Sequence, residues 1–201
     1  MPVTINGSGT LTGVSVGGLP DGIVDADMLA ANAVTAGKLA SGVGGKILQV
    51  QSVTKTDTFS SSESAGDYSG AAISLNFTAS STSNKLLIMA NLMVAGSHSS
   101  ERLGIILFAG GSKLTGAVGD AASSRRRISM GGFNDADNSY VCISHSHLFT
   151  PASTNQITYD YRLHNGRGAT GTVYLNRNNN DDDNSYHARG TSTVTIMEIA
   201  P

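Results

Sequence analysis

The sequence predicts an all-β domain, an antiparallel β-sandwich of the jelly-roll kind, carried behind an extended, partly helical N-terminal arm. Three observations predict it. Apolar and polar residues alternate with period two in several short runs. Glycine, Asn and Asp punctuate those runs as turn signals. Charged residues make up only 14% of the chain, while glycine alone numbers 24. Helix surfaces need Leu, Glu, Lys and Arg, and this chain is poor in charge.

The first 45 residues stand apart. They contain no aromatic residue, the first being Phe59, and their only charges are Asp21, Asp25, Asp27 and Lys38. Such a segment buries too little area to order itself alone. It is nevertheless too apolar for a solvated linker, so it is expected to order against its own symmetry mates or a docking protein. A loose repeat runs through it, Val24–Ala30 and then Val34–Ala40, each ending in Leu-Ala. Asp25 or Asp27, and then Thr35, are candidate caps for two short helices. Met28, Leu29 and Leu39 are the residues expected to pack between copies, because helices this short are marginal alone. Gly42, Gly44 and Gly45 form a hinge. The chain therefore divides into an anchoring and trimerising arm, 1–45, and a knob, 46–201.

In the knob, strands are expected at 46–56, 70–78, 85–96, 102–109, 125–131, 139–149, 156–164, 171–176 and 191–199. Ile73, Leu75 and Phe77 alternate with Ser74 and Asn76. Ile157, Tyr159, Tyr161 and Leu163 alternate with Thr158, Asp160 and Arg162, and Val194 and Ile196 with Thr193 and Thr195. The run Leu86–Val94 is apolar on both faces apart from Asn91. It reads as a central strand covered on each side, one side by a neighbouring subunit. Exposed in a monomer, such a strand invites aggregation. Closed three-fold packing removes that hazard, so a homotrimer is expected.

Net charge is −2 and the pI about 6.2, which does not suit a nucleic-acid partner. No apolar stretch approaches the ~20 residues needed to cross a bilayer, and no basic-then-apolar leader opens the chain. Synthesis in a cytosol without membrane insertion is expected. Cys142 is the only cysteine, so no intrachain disulfide forms, and it reads as a small buried hydrophobe.

Three constellations are candidates for recognition. Arg125, Arg126 and Arg127 could clamp acidic groups of a polysaccharide or pair with acids of the next subunit. The polar run Asn178–Asn184, with Asn179, Asp181, Asp182 and Asp183, reads as a long exposed loop of the kind that carries recognition. It is oxygen-rich but lacks the spacing and glycine of an EF-hand loop. His145 and His147 share one face of a strand. No nucleophile elbow, zinc-binding His-Glu-x-x-His or phosphate loop occurs, and the acidic residues fall mostly in loops. A non-enzymatic protein is expected.

Several stretches together resemble a known family. Gly45–Ser60, Ser81–Met89, Thr172–Arg177 and Ser192–Ala200 are similar to strand motifs of tail-fibre-like, receptor-binding virion proteins of aquatic phages. Asp25–Gly42 resembles their spacer repeats. The resemblance implies a trimeric sandwich located in a virion and assembled in the host cytoplasm. It also implies that the arm docks to another virion protein and the loops meet a host surface glycan. Some trimeric phage fibres hold a metal with His-x-His strands. By that resemblance, three copies of His145 and His147 would offer six imidazoles to a transition metal on the three-fold axis; no other cofactor is expected. Only about two repeats precede the knob, which favours a short tail-fibre-like trimer. A capsid decoration, cement or head-fibre protein is the alternative.

Overall fold

The computed structural model describes Leu29, Val34, Thr35, Lys38 and residues 46–201 other than Asp137. Met28 and Leu39 lie outside the described residues. Leu29 is exposed, and Lys38 N donates to Thr35 O at 2.8 Å. The chain separates into two units, Met1–Gly45 and Lys46–Pro201.

In the second unit, two antiparallel sheets form a sandwich. Sheet A holds β1 (Ile47–Lys55), β2 (Phe59–Glu63), β4 (Lys85–Gly96), β8 (Val141–Phe149), β10 (Gly171–Leu175) and β11 (Ser192–Ile199). Sheet B holds β3 (Tyr68–Thr78), β5 (Glu101–Ala109), β6 (Ser112–Lys113), β7 (Met130–Asn134) and β9 (Gln156–Asn165). Strand β4 is the axis of sheet A. Strand β8 pairs along one edge from Leu86 to Val94. The other edge is shared in sequence by β11, at Lys85–Asn91, and β10, at Val94–Gly96.

The gap between β10 and β11 is closed by Asn176, which is buried and sits at φ 63°. Its N–H donates to Met93 O, its Nδ2 to Lys55 O and Asp57 O, each at 2.9 Å, and its Oδ1 accepts from Ser192 Oγ at 2.6 Å. Asn tolerates this left-handed conformation better than most residues, and here every polar atom of its amide is used.

The core lies between the sheets. Leu86, Ile88, Ala90, Leu92 and Val94 of β4, with Ile143, Val194 and Ile196, face Ile73, Phe77, Leu103, Ile105, Leu107, Tyr159, Tyr161 and Leu163. Strand β4 is central, but its outer face, Leu87, Met89 and Met93, is only half-buried. The strand buried on both faces is β5, where Ile106 and Phe108 are also inside. The segment between β6 and β7 folds across the outer face of sheet B. Its Ile128 fills the space above Gly104 and Gly131, where an added Cβ would lie 3.0 and 3.1 Å from Ile128 Cδ1.

That covering segment corrects one expected strand. Residues 125–128 are not in β7, which begins at Met130. Their apolar member, Ile128, is spent on the cover. Strands β2 and β6 escaped the sequence reading, being polar and very short respectively. Cys142 is exposed rather than buried, because the even-numbered residues of β8 point outward.

Candidate functional site

The outer face of sheet A carries an apolar row that crosses four strands. Pairing register places Val50, Met197, Leu87 and Leu148 side by side across β1, β11, β4 and β8. Neighbouring strands lie about 4.8 Å apart, so the row spans roughly 14 Å. Val50 is 52% exposed and Leu148 54%, and Ile47 and Leu48 add exposed apolar area at the start of β1. The two rows beside it are Ser52, Thr195, Met89 and Ser146, then Thr54, Thr193, Asn91 and Ser144. Their hydroxyls and amide bond one another, Ser52 Oγ to Thr195 Oγ1 at 2.9 Å and Ser144 Oγ to Asn91 Oδ1 at 2.7 Å. None of these twelve side chains is charged.

His145 and His147 lie on the opposite face of β8. Odd-numbered residues there point into the sandwich. His145 Nδ1 is 2.8 Å from Tyr161 Oη. The His145 and His147 rings stack at 6.2 Å, His147 and Phe149 at 5.7 Å, and Phe149 reaches Tyr159 at 5.7 Å. Among the described residues no group of three or more His, Cys, Asp or Glu side chains is arranged for a metal. A metal shared by three copies would have to meet these rings between the sheets, not on an open face.

Burial lowers the pKa of both imidazoles, and the charge of His147 adds to the effect at His145. The unfolded chain then takes up protons first as pH falls through about 6.5. Stability from this pair is complete above that pH and declines below it. The melting temperature is expected to drop between roughly pH 7 and 5, and the drop should flatten in His145→Gln. An equally steep drop in the variant would count against the ladder as its cause.

The Asn178–Asn184 loop is more tightly tied than an open receptor loop. Asp181 is clamped by Arg177 Nη1 at 3.2 Å and by Arg189 Nε and Nη2 at 2.8 and 2.7 Å. The Arg189 hydrogen bond is the main cause of its lowered pKa. Asn179 Oδ1 accepts from Tyr174 Oη at 2.9 Å, and Asp182 pairs with His187. Asp183 is exposed, and Tyr186, three residues on, is 84% exposed. Arg125 and Arg126 are exposed on the segment that covers sheet B. Arg127 is half-buried there, and its Nε donates to Gly119 O at 2.5 Å.

One cluster was not visible in the sequence. Glu101 is 2% exposed, and its Oε1 has no hydrogen-bond partner. His98 Nδ1 lies 3.4 Å away and Arg167 Nε 4.0 Å. Gly96 and Gly171 make the room: an added Cβ would lie 1.7 Å from Oε2 and 3.0 Å from Oε1. Ser97 Oγ also lies 2.8 Å from His98 Nδ1. Serine and carboxylate thus face the same ring nitrogen. A proton relay needs one on each, so these three groups do not form a triad. A lone Glu opening an apolar strand was the only signal for this cluster.

No protein-family model matches the chain, and no curated protein matches it. Solved structures give weak likenesses. A structure of the infectious bursal disease virus Gx strain aligns with 75% of this chain at 12% identity and a TM-score of 0.38. The infectious bursal disease virus VP2 subviral particle aligns with 75% at 12% identity and 0.34. The Gt strain of the same virus aligns with 76% at 14% identity and 0.27. The chain spans 39%, 39% and 42% of the length of these neighbours, respectively.

Proposed function

We propose that this chain is a virion structural protein that acts by binding: a short, trimeric attachment spike. Residues 46–201 form its knob, the 1–45 arm docks to another virion protein, and the exposed loops meet a host surface glycan. The observation that carries the reading is the outer face of sheet A, where three successive rows carry no charge and exposed Lys85 stands at their border. Its apolar row runs from one edge strand to the other, and within the three uncharged rows no like charges oppose an identical face. Fully withdrawing a Val or Leu side chain from water is worth about 1.5–3 kcal/mol, and Val50 and Leu148, each about half exposed, have roughly half of that left to gain. Closed association of copies is the arrangement that removes every such face from water at once. A capsid decoration protein would need the same trimer, and copy number per virion separates the two.

Sedimentation of the full chain tests the proposal. The wild type is expected to run as three 20.6 kDa chains. Val50→Asp combined with Leu148→Asp should give a folded monomer with an unchanged far-ultraviolet dichroism spectrum. A wild-type particle of one chain mass at micromolar concentration would overturn the reading.

A further inference from the structure

The outer face of sheet B collects positive charge from separate parts of the sequence. Lys113 of β6 reaches over Tyr68, with Nζ 5.2 Å from the ring centroid. Tyr68 packs on Phe108 at 5.4 Å, and Arg162 lies 3.9 Å over the Phe108 ring. Arg126 arrives at the same corner from the covering segment. Its Cγ is 3.8 Å from a Cβ built on Gly66, two residues before Tyr68. Arg127 is pinned nearby on Gly119 O at 2.5 Å and Thr115 O at 3.4 Å. His164 completes the corner, its Nδ1 3.0 Å from Asp67 O.

Of these cations only Arg162 has an ion-pair partner among the described residues. Arg162 is matched by Asp160, Nε to Oδ1 at 2.9 Å. The ion pairs among the described residues include none with Lys113, Arg125, Arg126 or Arg127. The cations feel one another. Burial lowers the Lys113 pKa first, and the charges of Arg126 and Arg127 lower it further. Burial also leads at His164, where Arg126 and Lys113 push the same way while Asp67 opposes them. Like charges held by an aromatic ring and backbone carbonyls, with no ion pair to Lys113, Arg126 or Arg127 among the described residues, form a prepared site for an external anion.

We propose that Lys113, Arg126 and Arg127, with Arg125 at the rim, bind the anionic groups of an acidic host glycan, either uronate carboxylates or sulfate esters. This rests on the attachment reading above and names its ligand class. Arg supplies a planar fork for two oxygens, and Lys a compact point charge. The patch is a single corner bordered by Asp67 and Asp160, on a chain of net charge −2. An extended phosphate backbone would need a longer basic stripe.

Calorimetric titration of the full chain with polygalacturonate and with dextran sulfate tests this, with unsubstituted dextran as the neutral control. At least one acidic polymer should bind, and more weakly as salt rises. Which polymer binds identifies carboxylate or sulfate as the group recognised. Lys113→Ala and Arg126→Ala should each raise the Kd roughly tenfold. Lys55→Ala, whose Nζ pairs with Asp57 elsewhere, should not change it. Acidic polymers bound no better than dextran, or weakened equally by Lys55→Ala, would overturn the site. Sedimentation of the same sample reads the trimer separately, so a trimer that ignores both polyanions refutes this site alone.

Discussion

Ile88→Asp is expected to leave no folded knob. Ile88 is fully buried at the middle of β4, between Ile196 of β11 and His147 of β8. An ionised carboxylate there would meet only the His147 ring, whose charged form burial disfavours, and burying a carboxylate without a stable cation costs several kcal/mol. Protonation would relieve the charge but not the lost packing, worth about 2–5 kcal/mol for an aliphatic side chain cut back in a core. The sum exceeds or consumes the roughly 5–15 kcal/mol that holds a domain together. The neighbouring change Met89→Asp reads something different. Met89 is half-buried on the outer face, in the row with Ser52, Thr195 and Ser146. It should fold and disturb only association. Soluble expression and far-ultraviolet dichroism distinguish the two. A folded Ile88→Asp protein would mean that β4 has slipped by one residue, turning its two faces over.

The contrast between residues 88 and 89 shows where the sequence was readable. Period two in 70–78, 156–164 and 191–199 placed β3, β9 and β11 to within a few residues, because each alternates apolar with more polar side chains, even in β9 where Asp160 and His164 are themselves buried. Leu86–Val94 was right as a central strand, yet its composition could not say which face the sandwich takes. Hydrophobicity was near-equal on both sides, and burial was decided by which residues face sheet B. The doubly covered strand, β5, looked ordinary because its cover, with Ile128, comes from a polar, arginine-rich segment. The triple arginine was legible as a charged cluster. Lys113 and His164 were not legible as its neighbours, since only the fold brings β6, β9 and the turn at Gly66 together. His145 and His147 were correctly paired on one face by spacing. Spacing cannot tell an inward face from an outward one when polar and apolar residues share it.

Glu198→Ala is expected to cost about 3 kcal/mol or more, the usual scale for removing one partner from a buried charged network. Glu198 is 0% exposed and among the described residues forms no ion pair. Four donors hold its carboxylate instead: Asn84 Nδ2 at 2.6 Å, Gln49 Nε2 at 2.5 Å, and the N–H and Oγ of Ser80, each at 2.8 Å. They join β1, the turn entering β4 and β11, which gives the Ser-rich approach to Lys85 a structural role. Burial, the largest single influence, pushes the Glu198 pKa up, but the Asn84, Gln49 and Ser80 hydrogen bonds outweigh it and bring it down to about 2 from 4.5. With the folded value depressed, the network stabilises fully above pH 4.5, and its contribution is lost as pH falls from there toward 2. That window lies below the one set by the histidine ladder, so the two can be resolved in a single pH series. Glu198→Ala should melt roughly 10 °C below the parent at neutral pH. It should also lose the parent's steep decline in stability below pH 4.5. A variant that melts within a degree or two of the parent and keeps that acid limb would show that Asn84 and Ser80 find other acceptors, and that the carboxylate does not hold this end of the sandwich together.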